Sequence, residues 1–193
     1  MLGKVIAYIG DQLNSYIARK QGYGPGTNKV VISPIFNQDG SLAITTDNVI
    51  VMTMVDLRKD GSAYSYNAGA YPGYGGAIDF SAIHLNVYLL FSGYFKAKNT
   101  VDALNFLSFV LEFFQQHPQM DRDSFPTLPA SVQKLDFHFE SQDFVQKSYM
   151  WNLIGAKYMP SVLYKMQLIA VSDPSTTATA PQIITVEDEV SPL

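Results

Sequence analysis

Residues 82–95, AIHLNVYLLFSGYF, constrain the fold more than any other stretch of this chain. The first half alternates, with Ile83, Leu85, Val87 and Leu89 on one face and His84, Asn86 and Tyr88 on the other. Beyond Leu89 both faces turn apolar, which suits a central strand covered by a layer on each side. The rest of the chain must therefore supply cover for two faces of a sheet.

That cover is legible in the flanking periodicities. Leu2, Val5, Ile6, Ile9, Leu13, Tyr16 and Ile17 recur at three- and four-residue spacing and predict an amphipathic helix, ended by Gly22-Tyr23-Gly24-Pro25-Gly26. Residues 29–36 are β-branched and apolar and precede the turn Asn37-Gln38-Asp39-Gly40; residues 48–57 form a second strand closed by Arg58-Lys59-Asp60-Gly61. After the central strand, Asn99 or Thr100 caps a helix with Asp102 in its first turn, and Leu104, Leu107, Val110, Leu111 and Phe114 form its expected buried face. His117-Pro118 stops it. In residues 132–140 Leu135, Phe137 and Phe139 alternate with Lys134, Asp136 and His138, a half-exposed strand. A helix from Ser141 carries Phe144, Val145, Ser148, Tyr149 and Asn152 and ends at Gly155; residues 161–171 form the last strand. A strand, a helix and a strand within about forty residues predict a right-handed βαβ crossover. The expected fold class is α+β (mixed α/β): one domain over residues 1–171, with one mixed β-sheet, helices packed on it, and the order α-β-β-β-α-β-α-β.

Two segments stand outside this pattern. Residues 64–76, YSYNAGAYPGYGG, have no periodicity, and Tyr64, Tyr66, Tyr71 and Tyr74 make them a candidate interface loop, since tyrosine supplies rigid contact area with a polar tip. A surface loop with locally packed tyrosines is the competing reading. Residues 172–193 pass from a polar linker with two prolines to Ile183, Ile184, Thr185 and Val186, then Glu187-Asp188-Glu189. A short strand-former on a tether is either frayed or lent to another molecule.

Catalytic chemistry finds little purchase. The absence of cysteine excludes disulfides, thiolate zinc sites and a cysteine nucleophile. His84, His117 and His138 are scattered and lack metal-ligand spacing; His117 stands at a helix C-terminus, where a cation is favoured. Asp121 and Asp123 flank Arg122 without the other oxygens or the glycine of a calcium loop. No serine sits in a G-x-S-x-G elbow, no glycine-rich stretch has phosphate-cradle spacing, and Asp56, Asp79 and Asp136 do not announce an acid–base pair. No catalytic, cofactor-binding or metal-binding residue is expected. A net charge of −4 without a basic run argues against nucleic acid. No stretch has the ~20 continuous apolar residues of a membrane span, and the N-terminus lacks the apolar block of a signal peptide, which predicts folding in the cytoplasm. Charged residues make up only 16% against roughly 25% in soluble domains. Some of the surface is therefore expected to be covered by other subunits.

The stretch WNLIGAKYMPSVLYKMQLI, residues 151–169, has a local explanation: Gly155 ends a helix, Pro160 opens a strand and Trp151 anchors both. It also resembles the hallmark segment of the cap, or tail-terminator, proteins of extracellular contractile injection systems of the virulence-cassette and antifeeding-prophage type, with Trp151, Gly155, Pro160 and Tyr164 as its markers. Asn37-Gln38-Asp39-Gly40-Ser41-Leu42, Leu85-Asn86-Val87-Tyr88-Leu89-Leu90-Phe91-Ser92 and Leu13-Asn14-Ser15-Tyr16 are similar to further segments of that family, so the resemblance covers residues 1–171. The tyrosine-glycine loop departs from the short proline-containing stretch usual there, and some members continue beyond the length of this chain. The resemblance implies a non-enzymatic part: a sixfold ring that closes the inner tube and sheath away from the baseplate, stops their polymerisation and holds sheath to tube. Its implied partners are further copies of itself, the sheath protein and the inner tube protein, in a particle that is released or cell-associated. Such sheaths are stitched by exchanged strands. Residues 174–182 extended would span about 30 Å, bringing Ile183, Ile184, Thr185, Val186 and Glu187 to a sheath subunit's sheet edge. A tube–sheath connector or baseplate-side adaptor is the alternative within such a machine. A stand-alone ligand-binding domain using the tyrosine loop is the alternative outside it.

Overall fold

The structure is a computed structural model, and it describes residues 1–24, 26–61 and 83–170. Its elements are α1 (Leu2–Gln21), β1 (Val30–Ile32), β2 (Val49–Lys59), β3 (Ile83–Tyr94), α2 (Thr100–Gln116), β4 (Gln119–Asp121), β5 (Val132–Phe139), α3 (Phe144–Ile154) and β6 (Ser161–Ala170). One six-stranded mixed sheet has the order β1-β2-β3-β6-β5-β4. Among the described strands only β1 and β2 pair in parallel; the other pairs are antiparallel. The mixed α+β class is as expected, with the short edge strand β4 added.

The central strand is β3. It pairs with β2 from Val49↔Tyr94 to Lys59↔Leu85 and with β6 from Ile83↔Ala170 to Ser92↔Ser161. Leu89, Leu90 and Phe91 are all fully buried, so both faces are covered there. On one face lie α1 and α2: Val5, Ile9, Leu13, Phe106, Val110 and Phe113 pack with Ile50, Met52, Val87, Leu89, Phe91 and Met166. On the other, Trp151 of α3 closes a smaller core with Ile35, Ile44, Val49, Val51, Leu90 and Leu163.

The expected βαβ crossover through α3 is not formed. β5 and β6 are antiparallel neighbours, with Val132 opposite Ala170 and Phe139 opposite Tyr164. Glu140 N–H donates to Leu163 O at 2.9 Å, so the chain leaves β5 and re-enters β6 at the same end of the sheet. A parallel partner would require travel back along the whole strand. Here α3, 11 residues and so about 16 Å long, is an excursion from one end. β5 instead runs parallel to β3 with β6 inserted between them.

The buried face of α2 also differs from expectation. Ala103, Phe106, Leu107, Val110, Phe113 and Phe114 face the sheet, whereas Leu104 and Leu111 point outward. The helix is turned by roughly 60° relative to the predicted face, at 3.6 residues per turn. The turn seats three phenylalanine rings, each with more apolar area than a leucine. Phe114 lies against Phe137 and Tyr164, and Phe113 against Tyr16.

At the far edge, β1 is shorter than the expected residues 29–36, because Pro34 has no N–H to give a ladder. The side chain of Asn14 stands in for a neighbouring strand. Its Oδ1 accepts from Lys29 N and Val30 N at 2.7 and 2.8 Å, and its Nδ2 donates to Val30 O at 2.9 Å. The Asn37–Gly40 turn forms as expected. Gly40 adopts φ 81°, and Asp39 Oδ1 accepts from Ser41 N at 2.8 Å. The Ser41 hydroxyl and N–H hold the Asp39 carboxyl below its usual range.

Candidate assembly surfaces

Trp151, Gly155, Pro160 and Tyr164 are placed by α3 and the start of β6. Asp143 opens α3 with a capping box: its Oδ1 accepts from Gln146 N at 2.7 Å, and Gln146 Oε1 accepts from Asp143 N at 3.1 Å. Gly155 ends the helix at φ 74°, its N–H donating to Trp151 O and Asn152 O. A side chain at that left-handed position is strained, which is why glycine stands there. Pro160 O accepts from Gly93 N at 2.9 Å and ties the segment to β3. Trp151 enters the smaller core, while Tyr164 enters the larger one beside Phe91, Phe114 and Phe139. Burial pushes the Tyr164 phenol upward. The four markers therefore form a frame across the sheet, and they do not converge on a pocket.

Tyr64, Tyr66, Tyr71 and Tyr74 of the candidate interface loop, and Ile183, Ile184, Thr185, Val186 and Glu187 of the candidate arm, lie outside the described residues, as does Asp79. Five of the remaining titratable candidates have ordinary structural partners. Asp56 pairs with Arg58 and Asp136 with Lys134. Asp121 accepts from the Ser124 N–H and hydroxyl, closing a turn. His138 bonds Gln167 at 3.1 Å. His117 packs its ring on Phe113 and Phe125; burial, and then the Arg19 charge, push it below its usual value. The favourable helix end expected for a cation is thus outweighed by desolvation. Among the described residues no group of three or more His, Asp or Glu is placed to hold a metal. A groove of about 430 Å³ between the end of α1 and α2 is lined by Asn48, Asn99 and Glu112. These groups already have partners: Asn99 donates to Asn48, and Glu112 is held by Lys20 and Tyr16.

The fold also leaves large apolar side chains in water. On α3, Phe144 is 92% exposed, Val145 60%, Tyr149 71% and Leu153 82%. Trp151 is the helix's one buried residue. The sequence stripe of Phe144, Val145 and Tyr149 thus faces outward and not onto the sheet. The exposed positions of α3 are Phe144, Val145, Gln146, Ser148, Tyr149, Asn152 and Leu153, and none is charged. A helix apolar on both sides is one that expects cover on both. That signal was present in the sequence: Lys147 is the only charge between Phe144 and Ile154.

Among the described residues no helix is long and apolar enough to cross a membrane. No curated protein matches this chain. Among solved structures, the chain is similar to the sheath/tube terminator of an extracellular contractile injection system, PVC, in its extended state. The TM-score is 0.53 at 13% identity, covering 93% of this chain and 63% of that one. It is also similar to the tube-terminating cap of the anti-feeding prophage, with a TM-score of 0.49 at 13% identity, covering 92% of this chain and 59% of that one. This chain thus spans less than two thirds of either protein, and the first likeness establishes a shared fold. The sequence profile of the Pvc16 N-terminal domain covers residues 4–185, nearly the whole length, and the chain belongs to that family.

Proposed function

We propose that this protein is a cap, or tail terminator, of a contractile phage-tail-like injection system: a structural part and not an enzyme. The observation that carries the reading is membership of the Pvc16 N-terminal domain family over residues 4–185, joined to a fold shared with a sheath/tube terminator. The uncharged, apolar outer side of α3 supports it, because charge depletion and aromatic enrichment mark the cores of protein interfaces. In this reading copies of the chain form a ring, with six subunits, that ends the inner tube and sheath, stops their polymerisation and anchors one to the other. The particle is assembled in the cytoplasm and acts once released or at the cell surface. Residues 1–171 form the body and residues 172–193 a linker and β-arm, whose Ile183, Ile184, Thr185, Val186 and Glu187 add to a sheath subunit's sheet edge.

The test is to image particles carrying the labelled full chain and to measure particle length with and without it. Label only at the end remote from the baseplate, with tubes of uncontrolled length in its absence, is the expected result. Label at the baseplate end would replace the terminator with a connector. Particles of normal length and capping after deletion of residues 173–193 would remove the arm.

A further inference from the structure

We infer that the outer face of α3 in one copy docks on the outer face of α2 in the next, a head-to-tail contact between two copies of this chain. The inference rests on the proposed ring and names the surface that builds it.

The second surface is as distinctive as the first. On α2, Val101 is 70% exposed, Leu104 51% and Leu111 37%. With Ser108 and Gln115 they follow one another at spacings of three, four, three and four residues, the repeat that keeps one seam of a helix against another helix. That seam carries no charge, and Ser108 places a small side chain at its middle. The α3 stripe, Val145, Tyr149 and Leu153, recurs every four residues, with Phe144 beside it. Phe144, Val145, Tyr149 and Leu153 together leave on the order of 600 Å² of side chain in water, most of the ~800 Å² that one partner gives a standard interface.

Position selects a second copy as the occupant. α2 packs on one face of the sheet and α3 on the other, so the two stripes look away from each other. An isologous pair through α3 would leave the α2 seam open, and the reverse holds for a pair through α2. A heterologous contact covers both with one interface and repeats from copy to copy, closing into a ring where the rotation allows. Large rings on α3 meeting a seam with a small residue at its centre is the complementarity that ridge-and-groove helix packing requires.

The chain has no cysteine, so Leu104→Cys and Tyr149→Cys introduced together make a clean probe. The two helices stand roughly 20 Å apart across the sheet, beyond the ~7 Å Cα separation that a disulfide allows, so a bond between them must join different copies. Oxidation of the full chain, purified and in isolated particles, is expected to yield a ladder of covalent oligomers from the double variant and only monomer from either single one. Leu153→Asp added to the double variant should reduce the ladder on the order of thirtyfold. Dimers from Tyr149→Cys alone would replace the contact with an isologous one and overturn the proposal. So would Tyr149→Cys bonding only to a cysteine placed in a sheath or tube protein, or no ladder in either sample while circular dichroism shows the native fold. The terminator reading fails separately: a ladder from a protein that never decorates particle ends would sink that reading and leave the contact standing.

Discussion

The two faces of the sheet are built on different principles. The face under α1 and α2 is a wide core with aromatic rings in series, Phe91, Phe114 and Tyr164 among them, closed by two helices that cross-link through Lys20 and Glu112 at 3.0 Å. The face under α3 rests on one buried tryptophan and six buried aliphatic side chains, and the helix over it leaves Phe144, Val145, Tyr149 and Leu153 exposed. The first face stabilises the monomer. The second leaves the outer side of α3 bare, so stability and assembly are expected to separate along the sheet.

The sharpest way to break that contrast is to damage each core in turn. Phe113→Ala in the larger core should cost about 3–5 kcal/mol, the range for truncating a buried phenylalanine, read as a lowered denaturant midpoint in chemical unfolding. Asn14→Ala removes three hydrogen bonds that tie α1 to the edge strand. Leaving Lys29 N and Val30 N short of an acceptor should cost about 2–3 kcal/mol, with faster amide exchange at Val30 as the local signature. A smaller loss from Asn14 than from Phe113 would fit a larger face held chiefly by packing; the opposite order would not.

Trp151→Phe probes the other face. The indole Nε1 is buried without a hydrogen-bond partner among the described residues, and an unpaired buried donor costs about 1–3 kcal/mol. The substitution gives up ring area but also that penalty, so its net cost should stay near ~1 kcal/mol by calorimetry. A loss as large as that of Phe113→Ala would mean that the smaller core matters as much as the larger. The least effect on monomer stability is expected from Leu153→Asn on the open side of α3, within about 0.5 kcal/mol, while self-association measured by light scattering weakens.

Mild acid adds one smaller contrast, through His117 on the larger face. His117 has its folded pKa below its ordinary 6.5, so the unfolded chain binds the extra proton first. Stability is then full above about pH 6.5 and declines as pH falls from there through the lowered folded value. His117→Phe, which keeps the ring packing against Phe113 and Phe125, should flatten that part of the pH profile in thermal unfolding.

Particular elements mark where sequence reasoning was enough. The stripe from Leu2 to Ile17 lies on one face of α1 because helical geometry alone puts those positions together. Gly155 ends α3 because φ 74° is a local need that glycine meets without strain. The double-sided apolar half of β3 correctly announced cover on two sides. By contrast, Leu104 and Leu111 were expected inside and lie outside. Hydrophobicity at helical spacing defines a broad arc, and which part of it turns inward was settled by fitting three phenylalanine rings into the space above β3 and β6. The Trp151–Tyr164 segment was readable as a hallmark and as a helix end followed by a strand, but not as a frame spanning two cores.

Sequence by itself therefore determined most of the elements, the glycine ends of α1 and α3, the Asn37–Gly40 turn, the central strand and the family, since each depends on contacts within a few residues or on the pattern itself. It missed β4, set the start of α3 at Ser141 where Asp143 caps a helix from Phe144, and named Asn99 as a possible cap of α2, which it precedes without a side-chain cap bond. Tertiary structure alone decided that β5 and β6 run antiparallel, that α3 is an excursion and not a crossover, and which sides of α2 and α3 remain bare. Strand direction depends on where the chain re-enters the sheet. The bare faces depend on how side chains far apart in sequence share one volume, and no local periodicity encodes either.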